Sequence, residues 1–190
     1  MESHERFDQL WLISILASFD TMAEMSREDL KEKLEEQIGE CVGLERAAQK
    51  AVEELEAKGL LEKPEVRTEM EEMKDEASNH EQRMEEVIQR VIESHELDKE
   101  GIEHHAEETV QKATEMMQTY LGEDPDSQDA LEFLCLAEGG EVTHYEVLSK
   151  LAPKVKDKKF STAVQSILRQ EKRHLQLCTR LAKENVVKAE

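Results

Sequence analysis

Apolar residues recur along this chain at intervals of three and four, the period of helices that each bury one stripe. Between residues 158 and 188 the series Phe160, Val164, Ile167, Glu171, His174, Cys178 and Leu181 advances by 4, 3, 4, 3, 4 and 3. Between residues 126 and 151 the same spacing links Ala130, Leu134, Ala137, Glu141, His144, Leu148 and Leu151. A second segment gives Leu34, Ile38, Cys41, Glu45, Ala48, Val52 and Leu55, and a third gives Val66, Met70, Met73, Ala77, His80, Met84, Val87 and Val91. In every seam an acid, an imidazole or both interrupts the apolar run. Glu76, one turn before His80, shares its side of the third segment.

Turn and cap residues divide the chain into six predicted helices. The first covers residues 4 to 24, with a wide apolar stripe of Phe7, Leu10, Trp11, Ile15, Phe19 and Met22. Ser26 caps the second, with Asp29 three residues later, and Gly59 stops it. Pro64 opens the third and Asp98 the fourth, which ends near Gly122. In the loop "GEDPDS", Pro125 is expected at the first position of the fifth helix, and Pro153 is expected to end that helix near Leu151. The sixth runs from 158 to 188. The expected division is an apolar N-terminal helix over 1–25 and a bundle domain over 26–190. The N-terminal helix either covers the bundle or pairs with its copy in a dimer.

Composition agrees with an all-α chain. Aromatic residues are 4%, Pro and Gly number 3 and 7, and 37% of residues are charged. Runs of β-branched residues bounded by turns are absent. A formal net charge of −20 argues against nucleic acid and anionic membranes and suits a protein that attracts cations. The run "LWLISILASF" is about half the length a bilayer requires. Three widely spaced cysteines, Cys41, Cys135 and Cys178, form no disulfide framework or zinc knuckle and fit a reducing cytoplasm.

The acids in the seams raise a question of cost. Glu-x-x-His occurs twice, as Glu141 with His144 and Glu171 with His174. If segments two and three form one antiparallel hairpin, and five and six another, each hairpin places its acids about equally far from its turn. At ~1.5 Å per residue that distance is ~22 Å, near the middle of a four-helix bundle. Buried carboxylates at one height repel each other and cost several kcal/mol each unless neutralised. No Lys or Arg falls in the seams, whereas the imidazoles can carry protons or ligate metals. Two divalent ions would neutralise four carboxylates, and Glu oxygen with His nitrogen suits iron, manganese or zinc. The candidate ligands are Glu45, Glu76, His80, Glu141, His144, Glu171 and His174. The alternative is that the Glu-x-x-His pairs are surface ion pairs.

"EASNHEQRMEEVI" resembles a motif of the YciE/YciF group of ferritin-like stress proteins, with Glu76, His80, Arg83 and Glu85 in matching places. "LERAAQKAVEEL", "THYEVLSKLA" and "RQEKRHL" resemble further motifs of that group in the same order, mapping onto Glu45, onto His144, Tyr145 and Glu146, and onto Glu171 and Lys172. The resemblance covers residues 40 to 185. It implies a ferritin-like four-helix bundle with a connecting helix, often dimeric, with two metal ions. Such bundles carry a Glu on each of two helices and Glu-x-x-His on two others. Here the third segment spaces Glu76 and His80 by four, and the fifth carries a His where the pattern needs only Glu. Whether His80 and His144 touch metal therefore stays open.

The expected function is iron chemistry with oxygen or peroxide in a stress response; the alternative is a non-catalytic acidic scaffold whose metal site is degenerate or structural. Glu138 is expected as a solvated residue, with an additional ligand as the alternative; Tyr145 as core, with a hydrogen-bonding or redox-active group as the alternative; and His95, His104 and His105 as surface residues. Met70, Met73 and Met84 are expected to fill core, and Cys41 and Cys178 to act as small buried hydrophobes.

Overall fold

The computed structural model describes residues 26 to 188. The helix predicted over 4 to 24, and with it the division at 25/26, lies outside these residues. The chain separates into two compact units, Met1–Leu30 and Lys31–Glu190. Of the first, residues 26 to 30 are described. There Ser26 Oγ accepts from Asp29 N at 3.0 Å and Asp29 Oδ2 accepts from Ser26 N at 3.3 Å, the reciprocal cap expected from the sequence.

The described residues form five helices: α1 (Arg27–Ala57), α2 (Pro64–His95), α3 (Lys99–Leu121), α4 (Ser127–Val155) and α5 (Lys158–Lys188). No described helix is long and apolar enough to cross a membrane. α1 closes on Gly59, whose φ is +74°. Leu60 N donates to Leu55 O and Gly59 N to Glu56 O, which satisfies the last carbonyls of the helix.

Ion pairs give the directions. Arg46–Glu81, Lys74–Glu53 and Arg67–Glu56 run up one helix and down the other, so α1 and α2 are antiparallel. Arg180–Glu69, Arg173–Glu76 and Arg90–Asp157 relate α2 and α5 in the same way. α4 and α5 form a hairpin, tied by Lys172–Glu146 and by Ser161 Oγ donating to Ala152 O. Hence α2 and α4 run parallel, and α3 carries the chain back between them. This is a four-helix bundle with one long crossover, the helical bundle the sequence predicts. The crossover lies close against α1. A Cβ on Gly39 would come within 2.5 Å of Ile102 O, and one on Gly43 within 2.6 Å of Ala106 O. Asp98 caps α3, accepting from Glu100 N at 3.0 Å.

Two expected boundaries move. α4 starts at Ser127, not Pro125, because Asp126 accepts from Gln128 N and Asp129 N while Asp129 accepts from Asp126 N. That reciprocal cap satisfies more backbone than a proline start does. α4 also continues through Pro153 to Val155. The proline forfeits one N–H bond in the last turn, and burial of Ala152 and Val155 holds the turn in place.

Apolar layers lie on both sides of the bundle's middle. Val52, Leu55, Met70, Leu134 and Leu181 pack toward the end where α1 joins α2. Leu34, Ile38, Val91, Leu148, Phe160 and Ile167 are buried toward the other end. Met70, Met73, Met84, Cys41 and Cys178 are all buried, as expected.

Candidate metal centre

Between these layers lie six buried polar side chains: Glu45, His80, Glu138, Glu141, Glu171 and His174. α1 supplies Glu45, α2 His80, α4 Glu138 and Glu141, and α5 Glu171 and His174. Each occurs where its helix would otherwise continue an apolar stripe.

Glu171 stands at the middle of the group. Its Oε1 lies 2.7 Å from His80 Nδ1, and its Oε2 lies 3.3 Å from His174 Nδ1. At the same ring nitrogen of His80, Glu45 Oε1 is 3.3 Å from Nδ1 and accepts a 2.7 Å hydrogen bond from Tyr145 OH. On the other side, Glu138 Oε2 is 3.8 Å from His174 Nδ1. The two imidazole rings stack with centroids 5.9 Å apart. Ligand atoms thus gather into two groups, Glu45–His80–Glu171 and Glu138–Glu171–His174, with Glu171 common to both. Glu141 is buried among the same carboxyls and is electrostatically linked to Glu138, Glu171 and Glu45.

The remaining sequence candidates stand elsewhere. Glu76 is partly exposed and outside both groups. Its Oε2 is 2.6 Å from His174 Nε2, and Arg173 pairs with it from solvent. It therefore orients the imidazole whose other nitrogen faces Glu171. His144 is turned away, with Nδ1 3.2 Å from Glu40 Oε2 and about a third of its side chain exposed. His104 is exposed beside Glu108.

Glu138 departs from the solvated role expected of it, whereas Tyr145 is core as expected and also hydrogen-bonds at the centre. Glu138 is 2% exposed, not solvated, and Tyr145 is fully buried with its hydroxyl committed to Glu45. Their signal is present in the sequence: Glu138 lies three residues before Glu141 and Tyr145 four after, the spacing of one helix face.

Burial sets the electrostatics. It pushes the Glu45 carboxyl up to about 7, against the pull of His80. It also raises Glu138 and Glu141 well above the usual carboxylate range; repulsion from Glu171 and Glu45 adds to this at Glu138, and repulsion from Glu138, Glu171 and Glu45 at Glu141. For His80, burial favours the neutral ring, but Glu171 and Glu45 overcome it and push the imidazole up to about 10. Glu171 resists the same burial and falls to about 2 because His174 and His80 flank it. Without another cation, the centre is neutral only by holding protons.

The hydrogen bonding is incomplete. Six buried side-chain atoms among the described residues lack an aligned partner, and five belong to this centre: Glu45 Oε2, both ring nitrogens of His80, Glu138 Oε2 and Glu171 Oε1. His80 Nδ1 is close to two carboxylates, yet neither lies along its N–H direction. Orphaned donors and acceptors of this kind are costly, and hard oxygens mixed with imidazole nitrogens are the donor set of iron, manganese and zinc. The residues present therefore fit a metal ion.

Fold and site together define a helical-bundle protein with a buried Glu/His centre able to hold metal. Residues 21–190 match the family model described as a domain of unknown function, DUF892, and the chain belongs to that family. The match begins earlier in the chain than the motif resemblance over 40 to 185. No curated protein and no solved structure gives a match.

Proposed function

We propose that this chain is a ferritin-like carboxylate protein that binds two metal ions, iron foremost with manganese or zinc as alternatives, and oxidises iron with oxygen or peroxide. The observation that carries the reading is Glu171, shared between two ligand groups at the centre of the bundle. A carboxylate so placed can serve two cations at once. Glu45 and His80 would complete one position, and Glu138 and His174 the other, with Glu141 adjacent to both.

With iron bound, the centre would supply two one-electron donors, which with two protons reduce one hydrogen peroxide to two waters. The chain's own groups serve that chemistry in separate ways. Glu76 holds the His174 Nε2 proton, leaving Nδ1 free to face Glu171. Tyr145 fixes one oxygen of Glu45 and leaves the other without a partner. The apolar layers exclude water. Protonated carboxyls can release protons when cations enter. The motif resemblance extends the reading to a dimeric stress-response protein of the YciE/YciF type in the cytoplasm.

The second reading, an acidic scaffold without turnover, draws support from the same imidazoles. His80 and His174 are both pulled toward the protonated state by carboxylates, so the interior can neutralise itself as an ion network. Anaerobic titration with Fe(II) separates the two. Saturation at about two iron per chain, followed by oxygen or peroxide consumption, supports the first reading. No binding, and no change in melting temperature with Fe(II), Mn(II) or Zn(II), would leave the scaffold.

A further inference from the structure

A cavity of about 140 Å³ lies between α1, α3 and α4. Leu44, Ala48, Met117, Phe133 and Leu134 form much of its wall, and its lining also includes Glu138 and Glu141. Those two acids are each 2% exposed, whereas Met116 and Leu136, on the same lining, are 41% and 48% exposed. Lys50, Glu54 and Thr114 also line it, so the cavity leads from a mixed outer rim, past largely apolar walls, inward to two carboxyls of the candidate centre. Because the cavity opens to solvent at its outer rim, a ligand can enter it, and its dimensions and walls decide which.

Size and lining limit what that occupant can be. An engineered protein cavity of about 150 Å³ with apolar walls takes up benzene or xenon. A hydrated cation would have to shed water against leucine, methionine and phenylalanine. An anion would meet carboxyls at the inner end. Gly140 offers a position from which the cavity can be filled. It lines the cavity in the interior of α4, and a Cβ built on it meets nothing within 4 Å. Glycine weakens a helix interior relative to alanine, and no packing requires it here. Gly139, outside the lining, has the same open surroundings, so Gly140 marks room for a larger side chain beside the cavity.

We propose that this cavity binds a small, uncharged, apolar molecule, up to about the size of a benzene ring, and holds it beside Glu138 and Glu141. Dioxygen belongs to that class, and peroxide does not. For the reaction, this names dioxygen as the first oxidant: with two electrons from two bound Fe(II) and two protons it would leave as hydrogen peroxide, a step that rests on the metal reading above; the binding itself does not rest on it.

The experiment is a benzene titration of the full chain as purified, with metal content measured on the same sample. The readout is the methyl NMR signals of methionine. The Met116 and Met117 methyls are expected to shift saturably while those of Met70 and Met84 stay in place. Gly140→Leu, which fills the void, is expected to weaken binding about tenfold or more with an equal or higher melting temperature. Should that variant unfold, Ala113→Leu fills the same space from α3. Absence of a saturable shift, or binding unchanged by both fillings, overturns the proposal. Metal bound at about two per chain without benzene binding sinks this inference alone. Benzene binding without metal sinks the metal reading alone.

Discussion

The Tyr145 hydroxyl donates a 2.7 Å hydrogen bond to Glu45 Oε1, tying α4 to α1 with both side chains fully buried. Tyr145→Phe removes one oxygen and leaves the ring. The acceptor then has no donor other than the off-axis His80. A loss of about 1–2 kcal/mol in chemical denaturation is expected. No loss would mean that water replaces the hydroxyl.

Glu171 faces both imidazoles, so its removal acts on both ligand groups. Glu171→Ala is expected to abolish metal binding altogether, whereas Glu45→Ala leaves one position. Elemental analysis of the two variants distinguishes a shared carboxylate from two independent sites. Without metal, Glu171→Ala also strands two imidazoles among the remaining acids. A buried pair broken this way costs about 3–5 kcal/mol.

Glu76 reaches the centre only through His174. Glu76→Ala is expected to weaken metal binding about 10–100-fold without eliminating it, since the ring loses the partner that fixes its proton. Complete loss would instead make Glu76 a direct ligand.

His144 is paired with Glu40 at the margin of the bundle. His144→Ala is expected to leave metal content unchanged and to alter stability by less than about 0.5 kcal/mol. Isothermal titration with Mn(II) checks the first point and thermal melting the second.

Stability of the metal-free chain is expected to fall as pH rises from 5 to 9. Glu45 is raised from an ordinary 4.5 to about 7, so the folded state holds a proton that the unfolded chain has released. His80 is raised from 6.5 to about 10 with the same sign, its stabilisation complete below 6.5 and lost through about 10. Glu171 acts oppositely, but its window lies between about 2 and 4.5, below this range. Bound metal replaces these protons. Melting curves in chelator should therefore slope downward with pH, and those in saturating Mn(II) should flatten or rise.

Much of this molecule is legible in its sequence. Leu34, Ile38, Met70, Leu148 and Ile167 can be picked out as core because an amphipathic helix has only one way to hide a stripe spaced by three and four. The caps at Ser26 and Asp98 are equally local. So is the conflict of acids in apolar seams, which marks Glu45, Glu141 and Glu171 as buried and in need of positive charge.

Which acid meets which imidazole is not local. Equal distance from a turn suggests Glu45 opposite Glu76, and Glu141 opposite Glu171. In the folded chain Glu45 meets His80. Side chains lean toward the N-terminus of their own helix. In an antiparallel hairpin that lean points away from the turn on one arm and toward it on the other, which offsets facing side chains by about three residues.

On α4 the ambiguity is rotational. Ala137 and His144 lie four before and three after Glu141; Glu138 and Tyr145 lie three before and four after. With about 100° per residue, both pairs flank Glu141 at similar angles on opposite sides. The sequence alone determined that a polar level interrupts the bundle and that Glu141 belongs to it. Tertiary packing of α4 against α1 and α5 set the helix's rotation, bringing in Glu138 and Tyr145 and turning His144 toward Glu40.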